Sequence, residues 1–191
     1  MPKILRNPLA SELIYLLKDG PSGRRTLTER VGASESSVRT VLEHLQSEGI
    51  VQMDRRGTSL TDMGRLAFGP LLQSVWEVKA VELPDLSMGE TNTAALLGGI
   101  DELSGPAWSF RDLAIREGAR GAIILEIDEE LSFLHSSDIL KEFNPESEKS
   151  LKNGFPEWAD GSLLVVVSGD SSEVVEYGLW RIIGEIVLKK S

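Results

Sequence analysis

Side chains suited to phosphates and base edges cluster in one short stretch of this chain. Ser36, Ser37, Arg39 and Thr40 lie within five consecutive positions, and Arg55 and Arg56 stand together further on. Ser and Thr hydroxyls bond phosphate oxygens or base edges, and a guanidinium bonds guanine in bidentate fashion. Arg25, flanked by Arg24 and followed by Arg30, adds positive charge just upstream. Contacts of that kind add affinity for a phosphate backbone but carry no sequence information.

The remaining reactive groups are sparse. The chain has no cysteine, which excludes disulfides, thiolate zinc sites and iron–sulfur clusters. Its two histidines, His44 and His135, sit in different halves, against an imidazole-rich metal site. No cofactor and no metal are expected. Asp128, Glu129 and Glu130 have the chemistry to bind a hard cation such as magnesium, yet they read as a solvated acidic turn. His135, Ser136 and Asp138 are acid–base residue types, but neighbours in sequence without a separate nucleophile motif do not make a triad. Ser168-Gly169-Asp170-Ser171-Ser172 joins a strand to a helix, where exposed amides can hold an anion; the simpler reading is a helix cap. Gly98-Gly99 lacks a dinucleotide or P-loop pattern and reads as a turn. The chain is expected not to be an enzyme.

The elements that must position the Ser/Arg cluster follow from local patterning. Asn7 or Pro8 starts a helix with Leu9, Leu13, Leu16 and Leu17 on one face, and Gly20-Pro21-Ser22-Gly23 ends it. Thr26 is the expected cap of a short second helix, with Glu29 completing a capping box. Leu27 and Val31 are its buried side, and Gly32 closes it in the left-handed conformation. Ser34 caps a third helix, and Glu35 suits its positive end. Val38, Val41, Leu42 and Leu45 form the core stripe, leaving Glu35, Ser36, Arg39, Thr40, Glu43 and His44 outside. After Gly49, residues 50–53 and 58–60 read as strands around a turn at 54–57. Thr61-Asp62 caps a further helix.

The stretch Leu-Thr-Glu-Arg-Val-Gly-Ala-Ser-Glu-Ser-Ser-Val-Arg-Thr-Val-Leu-Glu-His-Leu-Gln-Ser-Glu-Gly-Ile-Val, from Leu27 to Val51, resembles the winged helix-turn-helix transcription regulators. The resemblance covers residues 5–72. It implies double-stranded DNA as partner and a recognition helix within Glu35 to Glu48. Ser36, Ser37, Arg39 and Thr40 then face the groove, and Arg55 and Arg56 belong to the wing. Whole-chain layout resembles archaeal two-domain regulators with an uncharacterised C-terminal α/β domain. Ser-Phe-Arg-Asp-Leu-Ala-Ile-Arg-Glu-Gly-Ala-Arg-Gly-Ala and Asp-Gly-Ser-Leu-Leu-Val-Val-Val-Ser-Gly-Asp carry that likeness, which implies a sensing or assembly role.

Charge divides the chain at the same place. Residues 1–72 hold ten Lys+Arg and eight Asp+Glu, so 10 − 8 = +2, and residues 73–191 hold ten and 22, so 10 − 22 = −12. An acidic chain repels phosphate as a whole, so nucleic acid must be met by the first part. Two domains are expected, 1–72 and 73–191. Beyond residue 72 the order is strand (76–83), strand (91–97), helix (107–117), strand (121–127), strand (131–135), an irregular polar stretch (136–161), strand (162–167) and a long helix (171–189). That order makes an α+β chain whose C-terminal part is an α/β sandwich, with a ferredoxin-like layout as the expectation.

In the last helix Val175, Leu179, Ile182, Ile183 and Ile186 form the core stripe. Tyr177 and Trp180 fall on the other side, so they are expected in a homodimer contact or an interdomain one. No apolar run approaches the ~20 residues that span a bilayer, and the N-terminus lacks a secretory core, so a cytoplasmic protein with no membrane role is expected. The combined expectation is a homodimeric, DNA-binding transcription regulator whose second domain dimerises, senses a small-molecule effector, or both. Glu35, Glu43, Asp54 and the small net charge of the first part support the alternative, a winged-helix adaptor that binds protein.

Overall fold

The computed structural model describes residues 7–86, 88–100, 103 and 105–188. The chain opens with α1 (Pro8–Leu16), α2 (Arg24–Val31) and α3 (Glu35–Ser47), followed by the hairpin β1 (Val51–Asp54) and β2 (Gly57–Leu60) and the short α4 (Asp62–Ala67). Asn7 starts α1: its Oδ1 accepts from the Leu9 N–H at 3.1 Å, and Pro8 takes the first turn, where no N–H is needed. Leu13, Leu17, Leu27, Val38, Leu42 and Leu45 are fully buried between the three helices.

One cap differs from expectation. Helix α2 begins at Arg24, with Gly23 in the cap position and no side-chain bond there. Thr26 therefore lies inside the helix. Glu29 is drawn to the Arg25 guanidinium at 2.9 Å instead of turning back to a backbone N–H, so no capping box forms. Burial of Leu27 and Val31 sets the phase of this helix.

Helix α5 (Gly69–Ser74) leads into the second domain, which contains β3 (Val75–Ala80), β4 (Thr91–Leu97), α6 (Ala107–Arg116), β5 (Gly121–Ile127), β6 (Leu131–Phe133), α7 (Leu140–Phe143), α8 (Pro145–Gly154), β7 (Ser162–Gly169) and α9 (Ser172–Leu188). The five strands form one sheet in the order β3-β4-β7-β5-β6, with every neighbouring pair antiparallel. Val165 is central, opposite Ala95 on one side and Ile124 on the other. All of β7 is buried, because both faces of the sheet are covered. Helices α6 and α9 lay Phe110, Ala114, Val175 and Leu179 on the face carrying Ala95, Leu97, Val165 and Val167. Leu83, Leu140, Leu151 and Phe155 cover the opposite face, on Leu96, Leu125, Leu164 and Val166.

The ferredoxin-like expectation is met in one unit: β4–α6–β5 is a split crossover with β7 between its strands. A second interlocking unit is replaced by the β5–β6 hairpin and the central return strand β7. The stretch expected to be irregular, 136–161, holds α7 and α8. The inward positions of α8 include Ser147 and Glu148 beside Leu151, so no apolar period marks it. Its N-terminus is capped from far away: Asp85 accepts from the Ser147 and Glu146 N–H groups at 3.0 and 3.1 Å. The Ser147 side chain foremost, with these backbone donors, holds the Asp85 carboxyl below its ordinary range.

The two domains share one hydrophobic core through α1 and α9. Tyr15 on α1 meets Trp180 on α9 with ring centroids 5.2 Å apart and tilted by 48°. The Lys18 ammonium lies 4.0 Å from the other ring, Tyr15. Trp180 is only 2 % exposed, so it cannot anchor a second copy as a surface side chain; its contact is the interdomain one. Glu12 on α1 is buried in the same seam, and burial, with the charge of Glu176 on α9 adding to it, pushes its carboxyl up to about 9 against the pull of Arg30. Glu176 is also raised by burial, opposed by the Thr93 hydroxyl that donates to it at 3.2 Å.

Candidate nucleic-acid interface

Helix α3 presents its polar face because Val38, Val41, Leu42 and Leu45 lock the opposite face into the core. Ser34 begins it, its Oγ accepting from the Ser37 N–H at 3.1 Å. The same oxygen lies 2.9 Å from Ser36 Oγ and 2.8 Å from Ser37 Oγ, so three hydroxyls gather at the positive end of the helix. Thr40 donates back to the Ser36 carbonyl at 2.9 Å. Ser36, Ser37, Arg39 and Thr40 are all exposed.

The wing is held rigidly beside this helix. Val51 pairs with Leu60 and Asp54 with Gly57, leaving Arg55 and Arg56 at the exposed tip. Ser22 and Thr58 exchange two backbone bonds of 2.8 Å, which tie the hairpin to the loop before α2. Gly57 makes this contact possible: its φ is +120°, and a Cβ there would sit 2.6 Å from the Ser22 carbonyl oxygen. Asp54 accepts from the Arg56 N–H at 2.7 Å, which shapes the tip.

Two clefts flank α3. On the wing side a cleft of about 240 Å³ is lined by Arg24, Arg39, Glu43, Met53, Asp54 and Thr58, among others. On the other side a cleft of about 390 Å³ is lined by Asn7, Ser36, Ser37, Thr40 and Tyr177, with Leu9 and Val41 behind them. The structure thus divides the expected residues: Arg39 joins the wing flank, while Ser36, Ser37 and Thr40 line the far flank. Arg25 lines neither cleft and pairs with Glu29 on the outside of α2. Trp180 is buried and takes no part, whereas Tyr177 brings the second domain to the edge of α3. Sequence reasoning assigned no role here to Met53, Thr58, Asn7 or Leu9, which reach the flanks only through the tertiary fold.

Most of the arginines have acidic partners. Arg24 pairs with Glu35 at 3.3 Å, Arg39 with Glu43 at 3.8 Å and Arg56 with Asp54 at 3.5 Å. Arg55 has no carboxylate partner among the described residues. Exposed pairs of this kind contribute little stability, about 0–1 kcal/mol each, so exchanging a carboxylate for a phosphate costs little.

Other residues singled out in the sequence serve the fold. Glu130 pairs with Lys152 at 3.3 Å, and among the described residues no three His, Cys, Asp or Glu side chains gather to hold a metal. His135 Nε2 lies 3.2 Å from the Gly105 carbonyl, while Ser136 Oγ accepts from the Asp138 N–H at 3.0 Å, so the three do not form a relay. Asp170, at the turn into α9, is bonded to Arg120 at 2.7 Å.

Three helices with a β-hairpin wing, joined to a sheet domain covered on both faces, define a two-domain winged helix-turn-helix chain. Residues 13–75 match the family described as the CggR N-terminal DNA binding domain. Residues 88–186, more than half of the chain, match the Domain of unknown function family DUF4443, and the chain belongs to that family. The chain is also similar to a solved structure, a hypothetical protein from Pyrococcus horikoshii OT3, with a TM-score of 0.71 and 24% identity over 100% of this chain and 95% of the other. At that identity the likeness concerns the fold. No curated protein matches the chain. Among the described residues no helix is long and apolar enough to cross a membrane.

Proposed function

We propose that this protein is a sequence-specific, DNA-binding transcription regulator. Residues 1–72 read duplex DNA through α3, with Ser36, Ser37, Arg39 and Thr40 toward the groove and Arg55 and Arg56 of the wing on the backbone; Arg25 adds a peripheral phosphate contact. Residues 73–191 dimerise, sense a small effector, or do both. The observation that carries the reading is the exposed Ser/Arg face of α3 lying next to a wing whose tip holds two arginines. The match of residues 13–75 to a DNA binding domain family supports it. Two copies suit the class, because winged-helix regulators reach two half-sites about one helical turn apart. Sensing is supported by an apolar cleft of about 310 Å³ between α6 and β5, lined by Trp108, Ile124, Phe133 and Leu134 with Arg111 at its rim. The protein is not an enzyme and works in the cytoplasm.

The test is selection from a randomised duplex library at moderate salt, with wild type and Arg39→Ala in parallel. An enriched motif that relaxes at one position in the variant is the expected result. Absence of enrichment with wild type overturns the reading. One observation favours a second reading, a protein-binding adaptor: Arg24, Arg39 and Arg56 each pair with a carboxylate on the same surface. Binding with no salt dependence, or none to DNA at all, is the outcome that reading requires.

A further inference from the structure

We propose that the second domain supplies part of the DNA-contacting surface, and that Tyr177 on α9 donates a hydrogen bond to a backbone phosphate on the flank of α3 away from the wing. This rests on α3 being the DNA-reading helix. A helix in a major groove about 12 Å wide has a sugar–phosphate strand on each side of it. On the wing side the guanidinium groups of Arg24 and Arg39 line the cleft beside the hairpin, so cationic groups face the strand there. On the other side, among the described residues, the first domain offers Asn7, Ser36, Ser37 and Thr40 as polar lining, and the remaining polar wall of that cleft is Tyr177. A strand passing there enters a cleft of about 390 Å³ whose polar groups, among the described residues, are all neutral.

Helix α9 is fixed at this position by the Tyr15–Trp180 contact one turn further along. Tyr177 is half-buried, with its ring packed against the core, so its hydroxyl is presented by a restrained side chain. Burial, then the charges of Glu173, Glu12 and Glu117, raises its phenol further above the ordinary range, so it remains an O–H donor at working pH. A neutral donor also suits an acidic surrounding. Glu173 lies one turn back on the same helix, and a lysine or arginine placed here would find a carboxylate partner, as Arg24 and Arg39 do. A phenol holds a phosphate by direction and releases no counterion.

That distinction gives the contact a signature. A lost arginine–phosphate contact lowers the slope of log K against log salt by about 1, whereas a lost phenol–phosphate bond lowers K and leaves the slope unchanged. The experiment uses the full chain and the duplex recovered by selection, with anisotropy titrations at several salt concentrations for wild type, Tyr177→Phe and Arg56→Ala. Tyr177→Phe keeps the packed ring, and its melting temperature checks the fold. Expected are about tenfold weaker binding by Tyr177→Phe at every salt concentration, an unchanged slope and an unchanged melt. Wild-type affinity in Tyr177→Phe overturns the inference and leaves the DNA reading standing. Tighter binding also overturns it, because α9 then obstructs the groove. A loss that comes with a lower slope means that the domains have shifted, and the contact is refuted. If wild type binds no duplex, the DNA reading fails and this inference fails with it.

Discussion

Glu12 should make the protein lose stability as the pH rises through neutrality. It is 6 % exposed, in the seam between α1 and α9, and its carboxyl is pushed up to about 9 by burial first and by Glu176 second. In the unfolded chain the same group titrates near 4.5. Between those values the folded state holds a proton that the unfolded state has released. The contribution is therefore complete below about 4.5 and is lost progressively as the pH rises toward about 9. The slope in that window is about −1.4 kcal/mol per pH unit, so moving from pH 4.5 to pH 7 removes about 3 kcal/mol through this group alone.

Glu12→Gln keeps the shape and removes the titration. The variant should match wild type within about 1 kcal/mol near pH 5 and exceed it by about 3 kcal/mol at pH 7. For a chain of this size that difference corresponds to about 6–12 °C in melting temperature. Thermal and urea unfolding of both proteins from pH 5 to pH 8.5 measures it. Glu176, also raised by burial, contributes to both proteins and largely cancels in the comparison. Parallel stability curves for wild type and variant across this range would refute the reasoning, because the carboxyl would then be ionised in the folded protein.

Three further substitutions test the positioning of the site. Trp180→Ala should cost about 3–5 kcal/mol by opening a cavity between the domains, measured by urea unfolding; a loss below about 1 kcal/mol would mean that the seam is loosely packed. Ser34→Ala should cost about 1 kcal/mol as a lost cap and weaken DNA binding as well, because the same hydroxyl organises Ser36 and Ser37; unchanged melting and binding would show the cap to be idle. Gly57→Ala should destabilise by about 1–3 kcal/mol, since φ is +120° there and the new methyl meets the Ser22 carbonyl. Its effect should appear as faster amide exchange at Ser22 and Thr58, the two residues whose backbone bonds tie the wing down.

The winged helix was legible because its signals are local. Ser34, the stripe of Val38, Val41, Leu42 and Leu45, and Gly49 all act within a few residues of one another, and each performs in the structure the task its type suggests. Two local signals compete at α2: Thr26 and Glu29 spell a capping box, but Gly23 opens the helix earlier and Arg25 takes Glu29. The site was legible only as a set of residues. The phase of α3 puts Arg39 on one flank and Ser36, Ser37 and Thr40 on the other, but what stands beside each flank is decided by the docking of α9 and the tie between Ser22 and Thr58. Helix α8 shows the opposite limit, because its cap is Asp85, distant in sequence, and its buried face carries Ser147 and Glu148.

Helix α9 explains why Trp180 takes the interdomain place of the two expected for it and not the homodimer one. Read alone, a helix with Val175, Leu179, Ile182, Ile183 and Ile186 on one side needs a single apolar partner, and the sheet is that partner. Trp180 then looks like a surface aromatic among Glu173, Glu176 and Arg181. Helices with apolar side chains on more than one face are buried on more than one face, and α9 is such a helix: the sheet and α6 pack on one side and α1 on another. Trp180 fills the second contact and Tyr177 marks its edge, where the seam opens beside α3. A shift of α9 against the sheet therefore cannot leave α1 in place without breaking the Tyr15–Trp180 packing or exposing Glu12. The apolar cleft beside α6 lies on the same body, and α6 packs on α9, which packs on α1, so the sensing role proposed above has a continuous packed route from that cleft to the winged helix.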